Sequence, residues 1–252
     1  MGVLEGRFRS MGIIGEGWRT PLGMTARRLE VDISGLHVDY GVLVMQRKVA
    51  IKGSPPKGHT TITLNARDLG AFTQHPLFLR AAATAVQGHA FAFDPDSVSI
   101  VHHPSGGGEV RFEGVWAADG ERYRVLMQPG GHRHHAAAAT ATTGDGAAAP
   151  KKLRVGAQHV PRGGGAPDAA AAGRVAAGIA DFFTNMALDL DGIEVTRPVL
   201  SLRPWRGGSA AAGGGYRGSS SSDKAGVVNE GDVLDICMRV RIRSFPPLNM
   251  QF

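Results

Sequence analysis

The stretch "LDICMRVRIR" near the C-terminus restricts the fold of this chain more than any other feature. Its apolar residues Leu234, Ile236, Met238, Val240 and Ile242 alternate with residues that are mostly polar or charged. A period of two places successive side chains on opposite faces of a β-strand. The stretch therefore predicts a strand with one apolar face and one mostly charged face.

Shorter alternations of the same kind predict further strands along the chain, separated by Gly, Pro or Asp residues that are typical of turns. The apolar positions of these alternations are Val38, Tyr40, Val42 and Val44 in a segment running on to Ile51; Ile62 and Leu64; Phe91 and Phe93; Val98 and Ile100; Val110, Phe112 and Trp116; and Tyr123, Val125 and Met127.

Two helices interrupt the strands. The first is predicted to begin at Asn65, a favourable N-cap, with Asp68 near the positive end of the helix. Pro76 disfavours a helix interior, so it is expected to open a second helical segment. The other helix is predicted to start near Asp168 and to end at Gly192. Its apolar stripe, for which core packing is favoured over ligand contact, contains Val175, Ile179, Phe182 and Met186.

Two stretches have a low-complexity composition rich in Ala, Gly and Ser, residues 130–172 and 207–226. Such tracts bury too little apolar surface to offset the entropy lost on ordering. We interpret both as disordered insertions within a single domain that spans residues 1–252.

The chain of 252 residues has a net charge of +6 and a pI near 9.9. A basic balance favours acidic partners such as nucleic acid or an anionic lipid surface. Tyr and Trp number three each, and no stacking platform is visible, so nucleic acid is not expected. The single Cys237 excludes an intrachain disulfide, and no apolar run is long enough to predict a membrane-spanning helix.

No catalytic motif is visible: phosphate-loop, dinucleotide and nucleophile-elbow spacings are absent from the sequence. We therefore expect no enzyme, catalytic residue, cofactor or metal site. The histidine clusters are attributed to composition and the paired aspartates to turns; these residues are His102, His103, His132, His134 and His135, and Asp94, Asp96, Asp189 and Asp191.

Four stretches together resemble the LmeA-like family, a domain of unknown function: "LEVDISGLHVDYGVLVMQRKVAIKG", "ITLNARDLGAFTQHPLFLRAA", "GIEVTRPVLSLRP" and a last strand closing in "FPP". The most specific element is a pattern of Leu64, Asp68, Leu69 and Phe72, followed by the pair at residues 76–77. The similarity covers residues 29–127 and 181–247.

This resemblance implies an α+β fold of the tubular lipid-binding type, in which a curved antiparallel sheet wraps one or two amphipathic helices. It also implies phospholipid binding at a membrane or cell envelope, with acyl chains in an apolar gap between sheet and helix. Together with a composition biased to Ala, Gly and Arg, the resemblance suggests a plastid location. The expected apolar wall is Leu69, Phe72, Phe78, Phe182, Phe183, Met186, Ile236 and Met238. The expected headgroup or membrane-surface residues are Arg47, Lys48 and Lys52, and Arg239, Arg241 and Arg243.

Three interpretations stay open at this point. The first is binding, with or without transfer, of a membrane lipid. The second is a scaffold that binds proteins through exposed sheet edges, and the third is nucleic-acid binding. For each basic cluster, a solvated outer face of a sheet is the alternative to a lipid contact.

Overall fold

The computed structural model describes residues 6–19, 24–46, 49–103, 107–129, 153–161, 166–190, 192–205 and 231–244. Its elements are β1 Arg7–Arg19, β2 Thr25–His37, α1 Tyr40–Gln46, β3 Lys57–Leu64, α2 Ala66–Thr73, α3 Pro76–Ala82, β4 Phe91–His102, β5 Gly108–Trp116, β6 Arg122–Gln128, β7 Arg154–Val160, α4 Ala169–Asn185, β8 Ala187–Leu190, β9 Ile193–Pro204 and β10 Asp232–Ile242.

The strands form two open antiparallel sheets rather than one. The larger sheet has six strands in the order β1-β2-β3-β10-β9-β8, and the smaller has four in the order β4-β5-β6-β7. The α+β class and the antiparallel pairing agree with the sequence-based expectation. The division into two sheets does not follow from the alternating patterns, because a pattern marks a strand without naming its neighbours.

The link between β3 and β4 carries the chain from one sheet to the other through α2 and α3. Asn65 caps α2 as predicted: its side chain accepts the Asp68 N–H at 2.7 Å. Pro76 is the first residue of α3, also as predicted. A Cβ at Gly70 would lie 2.3 Å from the Pro95 carbonyl oxygen, so only glycine allows α2 to approach β4 this closely.

The core lies between the two sheets and contains a cluster of aromatic rings. Phe78 is fully buried, and its ring centroid lies 5.0 Å from that of Phe72, 5.2 Å from Phe93 and 5.4 Å from Phe182. Edge-to-face pairs at this separation stabilise a core beyond the area that they bury. The apolar face of β10 is buried in the same core.

The prediction of a strand between residues 38 and 51 is wrong for residues 40–46, because these residues form the helix α1. Val38 and Ile51 form an antiparallel bridge, so the two ends of this segment pair with each other and the residues between them make the connection from β2 to β3. Asp39 instead accepts the Val42 N–H at 3.2 Å in the manner of a helix cap.

The first predicted insertion, residues 130–172, includes residues that are ordered. Residues 154–160 form β7, which pairs with β6. The small side chains of Gly156 and Ala157 gave this strand little apolar signal. The helix that follows begins at its Asp168 cap, as predicted, but it ends at Asn185. Gly192 lies in the turn between β8 and β9 instead, with a φ of 97°. Residues 130–152 and 206–230, which include most of both predicted insertions, lie outside the described residues.

Candidate functional site

An open groove of about 770 Å³ lies on the polar outer face of the larger sheet. Its walls include four cationic side chains and one histidine, on β3, β9 and β10. We call Lys57, Arg197, Arg239 and Arg241 the groove cations; His59 lies among them. All five side chains are exposed.

The register of the strands explains why these residues meet. Opposite residues in antiparallel strands share a face, with Cβ atoms about 5 Å apart. Arg241 on β10 lies opposite Lys57 on β3 and opposite Glu194 on β9. Two residues further along the strands, on the same face, Arg239 lies opposite His59.

The groove holds more positive than negative charge. Within the described residues, none of the groove cations forms an ion pair. The lining carboxylates are Asp32 and Glu194, and Glu194 already accepts a hydrogen bond from the Arg243 guanidinium at 2.6 Å. Lys57 directly opposite Arg241 is a like-charge pair, which destabilises a sheet locally. A bound anion would relieve that repulsion.

Arg197 reaches the groove from a β-bulge with an unfavourable backbone. Arg197 and Pro198 together lie opposite the single residue Met238. Arg197 has a φ of 55°, in the left-handed region that is costly for residues other than glycine. A residue before proline is moreover normally extended. Strained backbone of this kind is characteristic of binding and catalytic sites.

The same bulge changes which residues of β9 face the core. Val195 and Leu200 both face the core although they are five positions apart, and an odd offset places two residues of a regular strand on opposite faces. An extra residue between them is therefore required if both are to be buried. The phase change across "VTRPVL" is a signal in the sequence from which the bulge could have been predicted.

Only some of the predicted headgroup residues lie at the groove. Arg239 and Arg241 line the groove, and Arg243 lies beside it in contact with Glu194. Lys52 lies outside the groove, where its ammonium contacts Asp39 at 3.0 Å and, with the Val42 N–H, holds the pKa of Asp39 below its usual value. Arg47 and Lys48 lie outside the described residues.

The eight predicted wall residues are all buried in the core, and none of them lines the groove. Phe182 is the most exposed of them at 8%. Phe72, Phe78, Phe182 and Phe183 make ring contacts with one another, so their surfaces are already occupied by protein side chains. The other members of the set, Leu69, Met186, Ile236 and Met238, belong to the same buried cluster.

Sequence reasoning missed Lys57, His59 and Arg197 as site residues. Lys57 and His59 do alternate with Gly58 and Thr60, which is a weak strand signal. Their importance depends on the pairing of β3 with β10, and nothing in either segment specifies that pairing.

Guanidinium and ammonium groups form charge-assisted hydrogen bonds with carboxylates and phosphates. The groove is therefore suited to hold an anion at the surface of the sheet. Within the described residues, no helix is long and apolar enough to cross a membrane. No family model, curated protein or solved structure matches this chain.

Proposed function

We propose that this chain is a non-enzymatic lipid-binding module that holds the anionic headgroup of a phospholipid or another membrane lipid in the groove. The observation that carries the proposal is the set of four groove cations without ion-pair partners in the described part of the chain. The resemblance to the LmeA-like family points to the same ligand class.

The attraction between the groove cations and an anionic bilayer is sufficient for association with a membrane surface. Each Lys or Arg near an anionic bilayer contributes about 1 kcal/mol, so the groove cations together supply about 4 kcal/mol before screening. Because the groove is open to solvent, salt should weaken this attraction strongly.

The proposal places the acyl chains in the bilayer, since the predicted wall residues are in contact with one another. Extraction of a whole lipid into the tubular gap that the family resemblance implies would require these side chains to separate. That gap, lipid transfer and a plastid location stay predictions from the resemblance.

Vesicle sedimentation tests the proposal, using phosphatidylcholine vesicles with and without phosphatidylglycerol at low and high salt. Wild-type protein should bind only the anionic vesicles and should be released by salt. The double variant Arg239→Ala/Arg241→Ala should bind about thirtyfold more weakly, if each cation contributes about 1 kcal/mol.

Arg67→Ala/Arg80→Ala is the matched control, because it removes the same charge from exposed positions on α2 and α3. Equal weakening by the two double variants would mean that net charge, and not the groove, determines binding. Absence of wild-type binding to anionic vesicles at low salt would remove the proposal altogether.

Within the described residues, β1 pairs with β2 alone, and this edge of the larger sheet supports protein binding as a second candidate function. β1 is an edge strand of 13 residues, on which Ile13 is 49%, Ile14 66% and Trp18 37% exposed. Long apolar edges pair readily with strands of other chains. Affinity capture with wild type and Ile14→Lys tests this function: a protein retained by wild type and lost by the variant supports it, and identical recovery argues against it.

A further inference from the structure

The connection between β2 and β3 exposes two adjacent apolar side chains on α1. Val44 is 77% and Met45 88% exposed, the highest values among the exposed large apolar side chains in the described part of the chain. Isolated apolar residues on a surface are ordinary. Val44 and Met45, by contrast, are neighbours on the short helix of this connection, and we call this pair the tip.

The base of this connection is held firmly in the fold. The Asp39 N–H donates to the Ala50 carbonyl and the Lys52 N–H donates to the His37 carbonyl, both at 2.8 Å. Val38 is buried, and it forms a β-bridge with Ile51. The apolar tip is therefore presented on a structured support.

The tip and the groove lie at the same end of the larger sheet. Ser34 lies opposite Lys57 in the row of residues that crosses the groove. From Ser34, β2 continues to His37, about 10 Å at the usual rise of a strand, and α1 follows directly. Arg243 lies at this end too, since its N–H donates to the carbonyl of Gly192 in the β8–β9 turn.

We infer that Val44 and Met45 form a membrane-inserting tip, which enters the acyl region of an anionic bilayer while the groove binds headgroups beside it. This inference rests on the proposed function and specifies how the groove is held at the bilayer. Apolar side chains enter the boundary between headgroups and acyl chains to a depth of about 5–10 Å. The groove cations, which lie at the same end of the sheet, select an anionic lipid surface as the partner of the tip in preference to a second copy of this basic chain.

Fluorescence of an environment-sensitive probe tests the insertion directly. The chain contains one cysteine, Cys237, which is exposed. Met45→Cys in a Cys237→Ser background therefore places a single nitrobenzoxadiazole label at the tip. Addition of vesicles that contain phosphatidylglycerol should shift its emission to the blue. A label at Leu79→Cys on α3 is the matched control, because Leu79 is a further exposed apolar side chain at 43%, and its emission should not change.

Val44→Ser/Met45→Ser removes the apolar surface without changing charge. We expect its affinity for these vesicles to fall at least about tenfold, given the free energy of burying two apolar side chains. Its binding of glycerol phosphate, which needs only the groove, should equal that of wild type. Leu79→Ser should leave both affinities unchanged.

Unchanged vesicle affinity for Val44→Ser/Met45→Ser, with the Arg239→Ala/Arg241→Ala variant still impaired, would overturn the tip and leave the proposed function intact. Loss of a wild-type dimer in the serine variant, with vesicle binding unaltered, would identify the tip as a self-association surface and would equally overturn the inference. Failure of the wild type to bind anionic vesicles would instead remove the proposed function.

Discussion

The outer faces of the two sheets carry similar side chains but pair their charges differently. On the smaller sheet, the Arg124 guanidinium lies 2.9 Å from Glu113, and that of Arg122 lies 3.0 Å from Asp94 and 3.2 Å from Glu113. On the larger sheet, the groove cations have no such partners in the described part of the chain. Each face has an open groove, of about 350 Å³ on the smaller sheet and about 770 Å³ on the larger.

Strand register produces this difference. β5 and β6 place Glu113 directly opposite Arg124, so the smaller sheet satisfies its own charges. In the groove of the larger sheet, Lys57 lies directly opposite Arg241, and Glu194, on the other side of Arg241, instead accepts a hydrogen bond from Arg243. Basic residues on a sheet therefore indicate a binding site only when their cross-strand neighbours leave them uncompensated.

The largest effect is expected at the buried end of the polar face of the larger sheet, where a carboxylate is paired. The Arg203 guanidinium donates to Asp235 at 2.6 Å, and Asp235 also accepts the Thr63 hydroxyl at 2.6 Å. Asp235→Ala removes the carboxylate partner of Arg203 and leaves it only the Thr63 hydroxyl and the Trp205 ring, so the free energy of unfolding should fall by about 3 kcal/mol. Urea denaturation measures this loss. Asp32→Ala removes an exposed carboxylate from the groove and should change the free energy of unfolding by less than about 0.5 kcal/mol. Equal losses in the two variants would contradict the difference between paired and unpaired charges on this sheet.

A smaller effect of opposite sign is expected at Arg197. Arg197→Gly relieves the positive φ, a gain that exceeds the entropic cost of glycine, so stability should rise by up to about 1 kcal/mol. Affinity for anionic vesicles should fall about fivefold with the lost cation. Arg197→Ala is the matched control, because it removes the charge but keeps the strain. If both variants proved equally stable, the backbone at Arg197 would not be strained.

The smaller sheet can be made to resemble the groove by removing its shared carboxylate. Glu113→Gln leaves Arg124 without its carboxylate partner, while Arg122 keeps Asp94, so affinity for anionic vesicles should rise about twofold to fivefold. Vesicle sedimentation at low salt measures the gain. The same change combined with Arg124→Gln should reverse most of it. No gain in the single variant would show that unpaired cations on a sheet do not suffice for binding.

The smallest effect concerns the base of α1. Lys52 and the Val42 N–H hold the pKa of Asp39 below its ordinary value. The local stabilisation is therefore complete above the ordinary carboxyl pKa and is lost as the pH falls through the lowered one. Hydrogen exchange at the Val42 N–H, corrected for its intrinsic rate, should accelerate over that range. In the Asp39→Asn variant the exchange rate should not depend on pH in this way. If the wild-type rate were equally independent of pH, the ion pair between Lys52 and Asp39 would not stabilise the base of the tip.

Local chemistry was sufficient for several elements of this protein. The caps at Asn65 and Asp168, the helix opening at Pro76 and the two-faced strand β10 all follow from residues within one or two turns of each other. The polar identity of Arg239 and Arg241 follows from the same alternation. These features depend on backbone geometry and on the period of the side chains, which a short sequence carries in full.

The tertiary structure alone decided which strands meet and what their polar faces build. The division into two sheets, the bulge at Arg197 and the approach of Lys57 to Arg241 all depend on pairing between distant segments. One alternating strand is compatible with many partners, and the burial of a shared core selects among them. The apolar residues therefore determined that a core would form, while the packing of that core determined where the uncompensated charge would collect.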